Sequence, residues 1–286
     1  MELGIGLPNA VPGTTGEQLT GWARAAEDAG FSSLGTIDRI VYDNYEPLVA
    51  LSAAAAVTER IRLLTSVLLG PLRGNPVQLA KQFLSLDAVA GGDRAVLGVG
   101  IGAREDDYEA SGVPLSERAQ RMNDTLERVR AVWDGEGDLE AKVGPRRGSP
   151  SLILGGSVKA SFERAARYGD GWMMGGGTPE QFEQGLEQLR SAWQEQGRDG
   201  EPRKMALAYF SLGPDAEKNA EEELRDYYAW LGDEVAGMIA GSAAKDADTV
   251  KGYMQAFESL GCDELVLFPA SSDPEQVGLL AEAAGL

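Results

Sequence analysis

The chain has 286 residues, 43% of them hydrophobic and 25% charged, which is enough apolar content for one large core. Its 45 acidic residues outweigh 26 basic ones, and a net charge of −19 leaves no basic stripe for a nucleic-acid backbone or an anionic membrane. It holds no histidine, which excludes Ser-His-Asp hydrolysis, Cys-His proteolysis and His-ligated zinc or iron chemistry.

The start, Met1-Glu2-Leu3-Gly4, enters an apolar strand pattern without a basic segment or cleavage site, so no signal peptide is expected. No apolar run reaches the ~20 residues that span a bilayer. Cys262 is the only cysteine, which fits a reducing compartment, and a cytoplasmic protein is expected.

Eight short apolar segments read as strands: Leu3–Pro8, Ser32–Ile37, Arg62–Leu68, Ala95–Ile101, Ser151–Leu154, Gly171–Met174, Lys204–Phe210 and Glu264–Phe268. Helical periodicity fills the intervals. Leu19, Trp22, Ala23 and Ala26 share a face, as do Met122, Leu126, Val129 and Trp133, and Phe182, Leu186, Leu189 and Trp193. Capping boxes are expected at Thr14-Thr15-Gly16-Glu17, Thr178-Pro179-Glu180-Gln181 and Asp273-Pro274-Glu275-Gln276. Two longer connections stand out: Gly102–Ser116, and Gly135–Pro150 with Arg146-Arg147, the latter expected as a solvated loop on the bottom face. No linker marks a second domain. Strict alternation therefore predicts an α/β fold, one (β/α)₈ TIM barrel over residues 1–286, with an open doubly wound sheet as the alternative.

Barrel chemistry sits on the loops after the strands, and several of these are glycine-rich. Gly98-Val99-Gly100-Ile101-Gly102 ends the fourth strand, Gly155-Gly156-Ser157 the fifth and Gly175-Gly176-Gly177 the sixth. Gly155-Gly156-Ser157, opening a helix Val158–Tyr168 with Lys159 nearby, is the best phosphate candidate. The Gly98–Gly102 run has GxGxG spacing, not GxGxxG, and is a weak dinucleotide signal. Polar residues at strand ends are Asn9, Asp38, Arg39, Ser66 and Ser211. Tyr42 and Tyr45 follow the second strand, and Arg104 and Tyr108 the fourth. The plain reading of Asp38-Arg39 is a surface ion pair, and of the glycines tight turns.

Several stretches resemble the luciferase-like monooxygenase superfamily. They are Trp22–Phe31, Leu79–Asp87 leading through Gly91-Gly92-Asp93-Arg94 into Leu97–Gly102, Leu154–Ser157, Ala165–Trp172 and Gly261–Leu265. The resemblance covers essentially the whole chain. It implies a barrel that binds reduced FMN or the deazaflavin F420, often as a homodimer, with a non-proline cis peptide supporting the ring system. Ser66-Val67 is the matching position, and the start of the helix after strand five is the matching phosphate site. Where such proteins often carry Asp-His after strand two, this chain has Asp38-Arg39, and arginine stays protonated and cannot serve as a base.

The candidate catalytic residues are thus Asp38, Arg39 and Tyr42. The candidate cofactor contacts are Asn9, Ser66, Val67, Gly100, Gly102, Arg104, Gly155, Gly156, Ser157, Gly175 and Gly176, and no metal is expected. The leading expectation is monooxygenation of a small organic substrate by reduced flavin and dioxygen, with a flavin reductase as a partner. An F420-dependent hydride transfer is the rival, its anionic tail needing groups such as Arg73 and Arg104. A non-catalytic flavin-binding barrel comes third. A metal-dependent hydrolase comes last, since it would need Glu105-Asp106-Asp107, which reads as a solvated loop. An alanine-rich helix Pro47–Thr58 and the third helix are the expected dimer contact.

Overall fold

The computed structural model describes residues 1–286. Strand β1 (Glu2–Gly6), helix α1 (Gly16–Ala29), β2 (Ser33–Thr36) and α2 (Pro47–Ala55) come first. Next stand β3 (Arg62–Thr65) and β4 (Leu68–Leu69), α3 (Pro76–Val89), β5 (Ala95–Gly100), α4 (Glu105–Ala110) and α5 (Arg118–Asp134). They lead into β6 (Ser151–Gly155), α6 (Lys159–Tyr168), β7 (Gly171–Met174) and α7 (Pro179–Glu195). After β8 (Arg203–Phe210) come three helices, α8 (Ala216–Tyr227), α9 (Asp233–Gly241) and α10 (Ala247–Ser259), then β9 (Glu264–Pro269) and α11 (Glu275–Ala284).

All neighbouring strands are parallel in the order β3-β2-β1-β9-β8-β7-β6-β5-β4, and pairing of β3 with β5 closes the ring. β3 and β4 form one stave, because both pair with β5: Leu63 faces Ala95, and Leu68 faces Val99. The expected continuous strand Arg62–Leu68 is broken at Ser66–Val67, whose peptide bond is cis. The architecture is a closed TIM barrel of eight staves with helices outside.

The periodic faces explain the helical layer. Leu19, Trp22, Ala23 and Ala26 of α1 are buried, as are Met122, Leu126 and Val129 of α5 and Phe182, Leu186, Leu189 and Trp193 of α7. Burying each large apolar side chain contributes about 1.5–3 kcal/mol. Inside the barrel Leu64, Ile153, Met173, Met205, Val266 and Phe268 fill the space.

The caps differ in detail from expectation. Thr178 and Gln181 form the expected reciprocal box. At α1 the box is Thr15 with Gln18, one residue later than expected, because the Thr14 hydroxyl is used on the Pro8 and Val11 carbonyls. Asp273 Oδ1 accepts from the Glu275 N–H, but Gln276 does not close a box. Its amide instead pairs with both backbone groups of Leu212, fastening α11 to the end of β8. Arg146, exposed as expected, also donates to the Trp133 carbonyl at 2.7 Å and so satisfies the C-terminal end of α5.

At the bottom of the barrel Glu264, 1% exposed, accepts from Ser32, Ser33 and Arg203 and pairs with Arg62. Burial alone would push its pKa up, but Arg62, the two serine hydroxyls and Arg203 together hold it below the usual carboxylate value. This network closes the end opposite the site.

Candidate active site

The C-terminal ends of the strands surround a cavity of about 180 Å³. Its walls are Ile37, Asp38 and Arg39 beyond β2, Ser66, Val67 and Leu69 around the cis peptide, and Gly102, Ala103, Arg104 and Asp107 beyond β5. Gly175 beyond β7, Leu207 and Tyr209 on β8, and Tyr227, Tyr228 and Trp230 complete it. Drug-sized ligands occupy about 300–1,000 Å³, so this space takes a ring or a small molecule rather than a whole nucleotide.

The Asp38 and Arg39 side chains do not pair with each other. Both are buried, and each has its own partner. Asp38 Oδ2 accepts from the Leu69 N–H at 2.8 Å and from Arg73 at 2.6 Å, while Oδ1 has no partner. Burial raises the Asp38 pKa, and Arg73 opposes that rise. Arg39 Nε donates to Asp107 Oδ2 at 2.9 Å and Nη2 to the Val41 carbonyl at 2.8 Å, leaving Nη1 unpartnered. The guanidinium carbon lies 5.4 Å from the Tyr42 ring centroid and 5.6 Å from that of Tyr227. Ser66 Oγ is also buried without a partner.

Asp107 corrects the reading of Glu105-Asp106-Asp107 as a solvated loop. These residues form the first turn of α4, and Asp107 is 2% exposed. Its Oδ1 accepts from the Ile40 and Val41 N–H groups at 3.0 and 2.7 Å, so one carboxylate shapes the whole loop after β2. Asp106 holds Arg104, whose guanidinium lies 5.4 Å from the Trp230 ring centroid.

Not every expected residue reaches the cavity. The Asn9 amide is spent on Ile37 and the Tyr45 carbonyl, so it fixes the β2 exit from behind. The Tyr42 hydroxyl donates to Asp226 at 2.7 Å, Tyr45 to the Thr14 carbonyl and Tyr108 to the Ile101 carbonyl. Burial pushes the Tyr108 hydroxyl up to about 12 and raises that of Tyr42 as well.

The glycines divide into two kinds. A Cβ on Gly100 would stand 2.6 Å from Val67 Cγ2, and one on Gly155 2.9 Å from Val67 Cγ1. These two make room for the Val67 side chain. Gly102 lines the cavity beside Leu69, and Gly175 lines it with open space around its Cα. Gly176, with φ of +80°, likewise borders open space. Gly156 has φ of +128°, where a side chain is strained, and its carbonyl accepts from Trp172 Nε1. Ser157 is exposed, and Val158, at the N-cap of α6, gives no side-chain cap, so the N–H groups of Lys159 and Ala160 are open while that of Ser161 donates to the Val158 carbonyl.

Tyr209, Tyr227, Tyr228, Trp230 and Leu207 escaped the sequence reading. A signal was present: the stretch between the last two staves, Ser211 to Asp263, is too long for one crossover helix. It contains α8 and α9, which deliver the aromatic wall. Tyr209 and Tyr228 hydroxyl oxygens are 2.6 Å apart, and the Tyr227 and Tyr228 centroids 4.9 Å.

A luciferase-like monooxygenase family model matches residues 1–278. An uncharacterized protein of Mycobacterium tuberculosis is 32% identical over 225 residues, 73% of this chain and 74% of its own length. The FMNH(2)-dependent dimethylsulfone monooxygenase of Pseudomonas putida is 26% identical over 259 residues, 81% of this chain and 69% of its own. The F420-dependent glucose-6-phosphate dehydrogenase of Amycolatopsis mediterranei is 29% identical over 176 residues, 54% of this chain and 52% of its own. Among solved structures, an F420-dependent secondary alcohol dehydrogenase with an F420-acetone adduct superposes with a TM-score of 0.82 at 18% identity, covering 99% of this chain and 97% of its own. Relatives thus use reduced FMN or F420, and this chain belongs to the luciferase-like monooxygenase family of oxidoreductases.

Proposed function

We propose that the chain uses reduced FMN and dioxygen to monooxygenate a small organic substrate at the mouth of its barrel. One observation carries this reading: Asp38, Arg39 and Ser66 line a largely apolar cavity, and each keeps one buried atom, Oδ1, Nη1 and Oγ, without a partner. A donor and an acceptor so placed fit a flat heterocycle bearing both carbonyl and N–H groups. Bound there, reduced flavin supplies the electron pair that, with dioxygen, puts one oxygen atom on the substrate. Val67 and Leu69 would support the ring, with Gly102 and Gly175 along its edge. The phosphate would rest at Gly155-Gly156-Ser157, on the open N–H groups at the start of α6.

The protein's own part is to orient, shield and charge the site. Arg39, fixed by Asp107, holds a permanent positive charge against the occupant, which favours an anionic ring or substrate oxygen. The aromatic wall excludes water. FMN is preferred over F420 because the basic groups that would take an anionic tail are already paired. Arg73 binds Asp38 and Glu46, and Arg104 binds Asp106. Reduced flavin would come from a separate reductase.

The chain would work as one barrel domain in the cytoplasm, as a homodimer. Val49 on α2 and Val89 on α3, 63% and 66% exposed, flank a groove between these helices that a second copy would cover. The test of the cofactor reading is anaerobic fluorescence titration with reduced FMN and F420. Tighter binding of reduced FMN is expected; tighter binding of F420 would replace monooxygenation with hydride transfer.

A further inference from the structure

Without histidine, the site needs another group to move protons. The candidates beyond β2 have other tasks: Asp38 holds Leu69 and Arg73 through Oδ2 and, in the reading above, the ring through Oδ1, and the Tyr42 hydroxyl donates to Asp226. Across the cavity, Tyr209 and Tyr228 both line the wall, with hydroxyl oxygens 2.6 Å apart. Two hydroxyls carry two protons, and one proton suffices to bridge the oxygens. The other has no acceptor in the protein, since neither hydroxyl makes a second hydrogen bond.

We propose that the Tyr209–Tyr228 hydroxyl pair is the proton-transfer group of this site, and that Glu223 refills it from solvent. The inference rests on the reading that the cavity holds a redox reaction. The Tyr228 O–H bond breaks and an O–H bond forms on an oxygen atom of the occupant. The bridging proton stays between the two tyrosine oxygens, and the pair carries one negative charge. The Glu223 carboxyl then returns a proton to the pair and regains one from water.

The surroundings suit each step. Burial raises the Tyr228 pKa, while the hydrogen bond from Tyr209 and the charge of Arg39 oppose that rise and would stabilise the tyrosinate. Glu223 shares a crevice with Tyr209 and Tyr227. Burial, then the charge of Asp226, pushes its pKa up to about 8, so it holds a proton at neutral pH. The other groups facing it are Tyr209 on β8 and Tyr42 beyond β2. On the α9 side, Arg225 is paired with Glu221 and Asp233 and brings no free charge.

The test uses the whole chain with reduced FMN as the probe. A binding isotherm comes first, because absence of binding defeats the cofactor reading and is visible before any proton is followed. With binding established, the oxidation rate of the bound probe by dioxygen is measured against pH. Tyr228→Phe and Tyr209→Phe should each slow it by roughly 10²-fold, far more than either changes the isotherm. The parent rate should fall as pH rises through about 8, and Glu223→Gln should be slow and flat across that range. Parent-like rates and profiles in both tyrosine variants would overturn the proposal. A second arm needs no cofactor: NMR titration of the Glu223 carboxyl should show a midpoint near 8 that moves in Tyr209→Phe. An ordinary carboxyl midpoint would overturn it too.

Discussion

Arg39 and Asp107, 68 residues apart in sequence, form an ion pair of 2.9 Å with side-chain exposures of only 4% and 3%. The carboxylate is fully used, on the guanidinium and on two backbone N–H groups, whereas the guanidinium keeps Nη1 free. The pair therefore fixes Arg39, a residue of the cavity wall, while the buried charge is balanced from behind.

Removing the balancing carboxylate should be costly. Asp107→Asn leaves the buried Arg39 guanidinium with only the half-exposed Asp106 carboxylate, 3.7 Å away, which is expected to lower stability by about 2–4 kcal/mol in a denaturant titration. A loss under about 1 kcal/mol would place the pair in the class of solvated surface bridges.

Changes at Arg39 itself should separate charge from geometry. Arg39→Lys keeps the charge but loses the planar fork, and Arg39→Met loses both. Turnover is expected to fall in the order parent, Lys, Met, with cofactor affinity changing less than turnover. Variants that turn over like the parent would show that Arg39 serves only the loop.

The phosphate cradle predicts an effect of charge at an exposed position. Gly156 is a poor probe, since a Cβ there would lie 2.4 Å from Ser161 Oγ at a strained φ. Ser157→Asp avoids both problems and sets a negative charge beside the open N–H groups of α6. FMN affinity should drop roughly tenfold or more, and riboflavin, lacking the phosphate, should bind as before. Equal losses for both ligands would move the phosphate elsewhere.

The barrel bottom should govern acid stability. The folded pKa of Glu264 is lowered from 4.5, so its contribution is present above that value and is lost as pH falls through the folded pKa. Glu264→Gln should cost about 3–5 kcal/mol at pH 7 and show a flatter decline of stability in acid. Identical acid profiles for parent and variant would assign the decline to other carboxylates.

The exposed valines on α2 and α3 test the assembly. Light scattering of the parent should give twice the 30.4 kDa chain mass, and Val49→Lys with Val89→Lys should give the chain mass alone. A monomeric parent at micromolar concentration would end the dimer reading.

Much of the architecture could be read from local pattern because barrel strands buried on both faces are continuous apolar runs, such as Leu265–Phe268. The cavity wall was legible only where its residues sit at strand ends, as Asp38, Arg39, Ser66 and Val67 do. Asp107 was misread because three consecutive acids resemble a solvated turn. Only the closed ring brings β5 and its loop against the loop after β2, where an arginine and two N–H groups await that carboxylate. Gly100 and Gly155 read as ligand approaches in the sequence; their missing side chains also make room for Val67, a contact between staves that no single segment reveals. Tyr209 and Tyr228 lie 19 residues apart across a helix, so their hydrogen bond has no sequence signature.

The central claim is that this cavity, with Arg39 on its wall, holds the cofactor ring. A crystal structure of the chain with FMN tests it most directly. The account predicts the ring over Val67 and Leu69, with Arg39 Nη1 within hydrogen-bond distance of a ring oxygen or nitrogen and the phosphate at the start of α6. A ring bound away from the strand ends, or an Arg39 side chain that makes no contact with it, would contradict the account.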